Sequence, residues 1–174
     1  MRISRIYYEG PLDLSLSVTL PQESSHYILH VLRLKMGDEV ILFNGTSGEY
    51  LCVIIDIKKS QASLKLTEYI DNNPESGLKL HLAQAIVKGD KMDWIIQKAV
   101  ELGVTEITPL ITDFCNIKLD QQRSDKRIQH WQKVIISACE QSGRTKLPML
   151  HPVNYFERWI GEQNADVKVI CHPE

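Results

Sequence analysis

The chain has 174 residues, 43% of them hydrophobic and 24% charged, with a formal net charge of −2. That is enough apolar material for one or two packed cores, and it excludes a uniformly cationic nucleic-acid coat while leaving local basic patches open. There is no apolar run of about eighteen residues and no apolar leader after Met1, so the chain reads as soluble, cytoplasmic and without a membrane span. Its four cysteines, at 52, 115, 139 and 171, never form C-x-x-C, which favours reduced thiols over a disulfide scaffold or a zinc ribbon.

Residues 3–8 open the chain as a strand flanked by Arg2 and Arg5. Leu14, Leu16, Val18 and Leu20 alternate with polar residues as a half-buried strand that Pro21 ends. Residues 23–32 read as a short helix, capped near Ser24 or Ser25, with Tyr27, Ile28, Val31 and Leu32 turned inward. Strands follow at 40–43 and 50–57, joined around Asn44-Gly45, a strong hairpin signal, and again at 62–66. Several short strands with one helix suggest a small β-barrel over residues 1–70. Residues 71–77 contain no apolar side chain and read as a linker.

Residues 78–174 then form an α/β unit organised around one stretch. Residues 80–87 are a nearly continuous apolar strand, broken by Lys88-Gly89-Asp90, with Asp90 placed to cap a helix. Met92, Ile95, Ile96, Ala99, Val100 and Leu102 recur at helical spacing before Gly103, and residues 107–111 are a second strand. This is a βαβ unit with parallel strands, and ligands of such sheets sit beyond the carboxyl ends of the strands. A long helix over 125–142, capped by Ser124, carries Ile128, Trp131, Ile135 and Ala138 inward. Asn154 and Glu157 suggest a capping box for a helix through Ile160, and residues 167–171 a third strand. A three-stranded sheet ending at the tip of its last strand reads as an unfinished domain.

Three clusters could carry chemistry. Arg2, Arg5, Arg33 and Lys35, with His30 and Tyr27, suit phosphate contact and stacking; the same residues also read as an ordinary solvated surface. Lys88, Lys91 and Lys98 form the second cluster; Lys88 and Lys91 stand at a strand end and a helix N-terminus, where a cation works against the helix dipole, and the same residues also read as a solvated turn. Glu140, Gln141, Ser142 and Arg144 close a helix and could reach a base or a cofactor, while Gly143 alone reads as a C-terminal cap. There is no G-x-G-x-x-G, no P-loop and no serine-centred nucleophile motif. The six histidines show no ligand spacing. His26 and His30 share one helix face without a third ligand near them in sequence, so no metal site is expected.

Several segments resemble the RsmE family of ribosomal RNA methyltransferases. They are Arg2-Ile3-Ser4-Arg5-Ile6-Tyr7, His30-Val31-Leu32-Arg33, Lys88-Gly89-Asp90-Lys91-Met92 with the run from Ile96 to Val104, Ile107-Thr108-Pro109-Leu110, Trp131-Gln132-Lys133, and Ala138-Cys139-Glu140-Gln141-Ser142-Gly143-Arg144. The resemblance implies an N-terminal PUA-like β-barrel that binds RNA, followed by a SPOUT-type α/β methyltransferase domain. It also implies a homodimer, S-adenosylmethionine as methyl donor, and methylation of uridine N3 in small-subunit ribosomal RNA. The family's glycine-rich Ile-Gly-Pro-Glu-Gly-Gly loop has no counterpart here. The SPOUT-like domain is thus expected to lack its cofactor-binding knot, and the chain to bind the cofactor weakly and to be inactive by itself. Glu140 and Arg144 are the expected catalytic residues, and Arg2, Arg5, His30, Arg33, Lys88 and Lys91 the expected RNA contacts. A non-catalytic RNA-binding module is the competing reading; a small-molecule nucleotide binder using the Lys88 turn is a third.

Overall fold

The computed structural model describes residues 3–46, 48–113, 115 and 120–171, with only the backbone of Gln121. The first part is a five-stranded sheet in the order β1-β3-β4-β5-β2, from β1 (Ser4–Tyr7), β2 (Ser17–Thr19), β3 (Glu39–Phe43), β4 (Glu49–Lys58) and β5 (Gln61–Ile70). β1 runs parallel to β3 and the remaining pairs are antiparallel. The β4–β5 ladder shifts register twice, between Leu51 and Cys52 and between Ile54 and Asp56. Such bulges bend a long hairpin and let the sheet curl around Val40, Leu42, Ile54, Leu64, Leu66 and Ile28, which form its core. Lys59 and Ser60, both with positive φ (49° and 61°), make the two-residue turn of this hairpin.

The local chemistry differs from expectation at three places in this part. Residues 14–20 supply only the short β2, because Asp13 accepts the backbone N–H groups of Ser15 and Leu16 in a turn and leaves Leu14 and Leu16 exposed. The helix over 23–32 is one α turn, α1 (Gln22–His26), continued by a π turn over Tyr27–Val31. Neither Ser24 nor Ser25 caps it. The buried Ser25 hydroxyl instead donates to the Leu20 carbonyl and accepts the Ala62 N–H, tying α1 to β5.

The second part is a four-stranded parallel sheet. β6 (His81–Ala85) leads through α2 (Lys91–Glu101) to the central β7 (Glu106–Ile111), so the βαβ unit stands as read. α3 (Gln121–Ser142) follows, then β8 (Met149–Leu150) beside the start of β7, β9 (Asn154–Tyr155) beside its end, and α4 (Phe156–Gly161). Met92, Ile96 and Val100 of α2 pack against Trp131, Ile135 and Ala138 of α3, as their spacing predicts.

Four expectations are corrected here. Asp120 rather than Ser124 caps α3, accepting the Arg123 N–H at 2.8 Å. Asp90 occupies the N-cap position of α2 but its side chain makes no capping bond. Asn154 lies in β9, so it forms no capping box with Glu157, and α4 has no side-chain cap. Residues 167–171 are not a strand. β8 and β9 hold the places beside β7 that a third strand would take, and Val167, Val169 and Ile170 are exposed.

Candidate functional site

The two parts meet where β1 crosses the end of α3. Arg5 projects from β1 into this joint, its side chain only 7% exposed. Nη1 donates to the carbonyls of Cys139 (2.6 Å) and Glu140 (3.1 Å), and Nη2 to that of Arg144 (2.9 Å). These carbonyls lie in and just past the last turn of α3, a helix C-terminus where a cation is favoured. Nε pairs with the equally buried Glu49 of β4, whose second oxygen accepts from Asn72, and the guanidinium lies 4.6 Å from the centre of the Phe43 ring. From the other side Glu140 reaches back to accept the Tyr7 N–H at 3.0 Å. Burial pushes the Glu140 carboxyl above its ordinary range against the opposing pull of that N–H and of Arg5.

Arg144 forms the second half of the clamp. It follows Gly143, whose left-handed φ of 88° ends α3, and it is 7% exposed. Nη1 donates to the Val100 carbonyl in the last turn of α2 (3.1 Å) and to the Val104 carbonyl just beyond it (2.7 Å). Nε and Nη2 hold Glu75, which also accepts the N–H groups of Thr145 and Lys146. Burial raises the Glu75 carboxyl, but these donors outweigh it and leave it below its ordinary value. The polar stretch read as a linker therefore carries a buried anchor.

The expected site residues fall into two groups. Arg5, Glu140 and Arg144 converge on this clamp: the two guanidinium groups are committed to backbone carbonyls and buried carboxylates, and Glu140 Oε1 to the Tyr7 N–H. His30, Arg33, Lys88 and Lys91 are exposed. Arg2 lies outside the described residues. Arg33 follows the π turn with a left-handed φ of 58°, unusual for a non-glycine residue. The His30 ring lies tilted against that of His26, with ring centres 4.8 Å apart. Lys88 and Lys91 flank Gly89 at the carboxyl edge of the parallel sheet, and neither makes an ion pair with a described residue. Beside them the strand ends are drawn together by Cys115, whose Sγ lies 3.5 Å from the Ile86 carbonyl and 3.8 Å from that of Leu110.

A groove of about 350 Å³ opens between α2 and α3, lined by Asp90, Asp93, Trp94, Gln97, Ser137 and Gln141 among others. Trp94 is 62% exposed there. The helical pattern of α2 contains the signal for it, an aromatic residue two positions from the buried Met92 and so off the core face. Cys139 is no nucleophile: burial pushes its thiol up to about 12.

A family model described as the RNA methyltransferase domain matches residues 74–174, and one described as the RNA methyltransferase PUA domain matches residues 20–67. Among curated proteins, the ribosomal RNA small subunit methyltransferase E of Buchnera aphidicola from Acyrthosiphon pisum is 39% identical over 174 residues, 99% of this chain and 69% of its own length. The chain belongs to the ribosomal RNA small subunit methyltransferase E family. The Bacillus subtilis member is 31% identical over 153 residues, 87% of this chain and 60% of its own. A Legionella pneumophila methyltransferase solved with bound S-adenosylmethionine superposes with a TM-score of 0.96 at 39% identity, covering 99% of this chain and 72% of that one. The Neisseria gonorrhoeae methyltransferase E bound to S-adenosylmethionine gives 0.89 at 34% identity, covering 94% and 67%. The fold is that of the methyltransferase E family, a PUA-like domain followed by a parallel-sheet methyltransferase domain. The Ala138-to-Arg144 segment, one of the stretches of the sequence that resemble the methyltransferase E proteins, is the end of α3 held by the clamp.

Proposed function

We propose that this chain acts in the S-adenosylmethionine-dependent methylation of N3 of a uridine in small-subunit ribosomal RNA, as a homodimer in the cytoplasm. Membership of the methyltransferase E family carries the proposal. The reaction breaks a sulfonium–methyl bond, forms an N3–methyl bond and releases the N3 proton to a base. Glu140 and Arg144 serve it by holding the barrel against the sheet at one angle, Glu140 through the Tyr7 N–H and Arg144 through Glu75 and the Val100 and Val104 carbonyls. Lys88, Lys91 and Arg33, exposed and unpaired among the described residues, contact RNA phosphates, with His30 on the turn that precedes Arg33; Arg5 belongs to the clamp.

At the carboxyl edge, a Cβ added at Gly89 would meet nothing within 4 Å. The turn is open and supplies one wall of a site, whereas small-molecule sites bury roughly 70–90% of their ligand. The 174-residue chain should therefore bind S-adenosylmethionine only weakly in a calorimetric titration, and micromolar binding would require a site elsewhere. Affinity for small-subunit ribosomal RNA measured across salt concentrations tests the phosphate contacts. Lys88→Ala, Lys91→Ala and Arg33→Ala should each lower the slope of log K against log salt by about 0.7–0.9. An unchanged slope and affinity returns that residue to ordinary surface. Light scattering on the purified chain reports the dimer.

A further inference from the structure

At the amino ends of the parallel strands, away from the Lys88 turn, three side chains with metal-binding atoms converge. His81 is the first residue of β6 and Glu106 the first of β7, and the two are register partners. His151 follows β8 and is fixed by its own N–H bond to the Ile107 carbonyl (2.9 Å). His151 Nε2 lies 2.8 Å from Glu106 Oε2, His81 Nδ1 lies 3.9 Å from the same oxygen, and one ligand atom from each of the three residues falls within a 4.8 Å cluster. No residue of this cluster takes part in the clamp or in the proposed phosphate contacts.

We propose that His81, Glu106 and His151 form a binding site for a divalent first-row transition ion of the zinc type. Two imidazoles and a carboxylate are a borderline donor set that such ions favour over calcium or magnesium. Bonds of ~2.0–2.1 Å in a tetrahedron set donor atoms ~3.4 Å apart, which lies between the 2.8 Å and 3.9 Å separations found here. Small side-chain adjustments therefore close the site without moving the strands.

The surroundings fit the same reading. His81 Nε2 is 2.8 Å from the hydroxyl of the buried Thr108. That bond fixes the ring and leaves Nδ1 turned towards Glu106, the outer hydrogen bond that ligating histidines use. The His81 and His151 rings stack with centres 5.2 Å apart, and Trp159 of α4 packs edge-on against His81 at 5.5 Å. The Glu106 side chain is 42% exposed, which gives an ion a way in and leaves a fourth position for water. Because the ligands come from β6, β7 and the segment after β8, a bound ion would lock three strands together at the sheet edge.

The test is titration of the chelator-stripped 174-residue chain with Zn²⁺ by calorimetry, and with Co²⁺ followed by its visible absorption. One ion per chain is expected, with micromolar or tighter affinity, a four-coordinate Co²⁺ spectrum and a raised melting temperature. Glu106→Gln and His151→Ala should each weaken binding by at least about tenfold, and Thr108→Val, which touches no ion, by about 10–100-fold. Cys171→Ser should leave it unchanged, separating the site from an exposed thiol. The metal-free melting curve of each variant separates lost binding from lost folding. Absence of saturable binding in the parent chain overturns the proposal. So does binding that survives unaltered in a His81→Ala, His151→Ala double variant.

Discussion

Arg5 shows how far one side chain's surroundings change its meaning. An arginine on a first strand suits phosphate contact, but this one is buried against Glu49 and three carbonyls at the end of α3. Removing one member of a buried charge pair strands the other, at a cost of about 3–5 kcal/mol, whereas an exposed arginine can be truncated almost freely. Arg5→Met should therefore lower the unfolding free energy measured by denaturant titration by that amount, and a change within about 0.5 kcal/mol would return Arg5 to the surface. Glu75 and Glu140 make an opposite-signed pair. The folded-state pKa of Glu75 lies below the ordinary 4.5, so its stabilisation is present above that pH and is lost as pH falls through the depressed value. The folded-state pKa of Glu140 lies above 4.5, so the folded state holds the proton longer and stability falls as pH rises from 4.5 through the raised value. Glu75→Gln should destabilise the chain at pH 7 and flatten its acid limb. Glu140→Gln, which keeps an acceptor for Tyr7, should be at least as stable as the parent at pH 7. Thermal melts of both variants from pH 3 to 8 check the two signs.

Among the elements, α3 does the most connecting. Its Trp131 face completes the sheet's core, its Lys133 pairs with Glu23 of α1 at 2.9 Å, and its last turn receives Arg5. The turn can be received only because Gly143 ends the helix in the left-handed conformation and aims Arg144 back under α2. A Cβ at Gly143 would meet nothing within 4 Å, so the penalty for Gly143→Ala is purely conformational, about 1–2 kcal/mol. Urea denaturation should show that loss. A cost much above it would mean that the clamp itself opens when φ is disfavoured.

For the whole molecule, the question is how independent the two cores are. The barrel core is self-contained except at Phe43 and Tyr7, which pack with the second core. We propose a division at residues 71–77, with residues 1–72 able to fold alone at reduced stability. Exposing Phe43 forfeits about 1.5–3 kcal/mol, and Arg5 loses the α3 carbonyls while keeping Glu49. Residues 1–72 expressed alone should give a cooperative thermal transition and dispersed amide resonances, but a lower denaturant midpoint than the barrel shows within the full chain. A disordered spectrum would mean that the barrel depends on α3. Among the described residues no helix is long and apolar enough to cross a membrane.

Periodicity determined the β6-α2-β7 unit and the inward face of α3, and turn and capping residues determined the Asn44-Gly45 hairpin and the cap at Gly143. Each of these follows from contacts between near neighbours in the chain, and the pattern of side chains records them directly. The turn at Lys59-Ser60 escaped because its residues lack the usual asparagine–glycine signature, and the strand expected at 167–171 failed because burial of an apolar run depends on which strand already occupies the sheet edge. The tertiary structure alone decided the fate of the polar residues. Arg5 and Glu49 lie 44 positions apart, and Glu75 and Arg144 69 apart. His81, Glu106 and His151 share no linear ligand spacing, yet parallel pairing sets the first residues of β6 and β7 beside the residue that follows β8, so a cluster of metal-binding atoms arises that no local motif encodes. A charged side chain gains most from a partner in a desolvated joint, and only the packing of distant elements determines where such joints form.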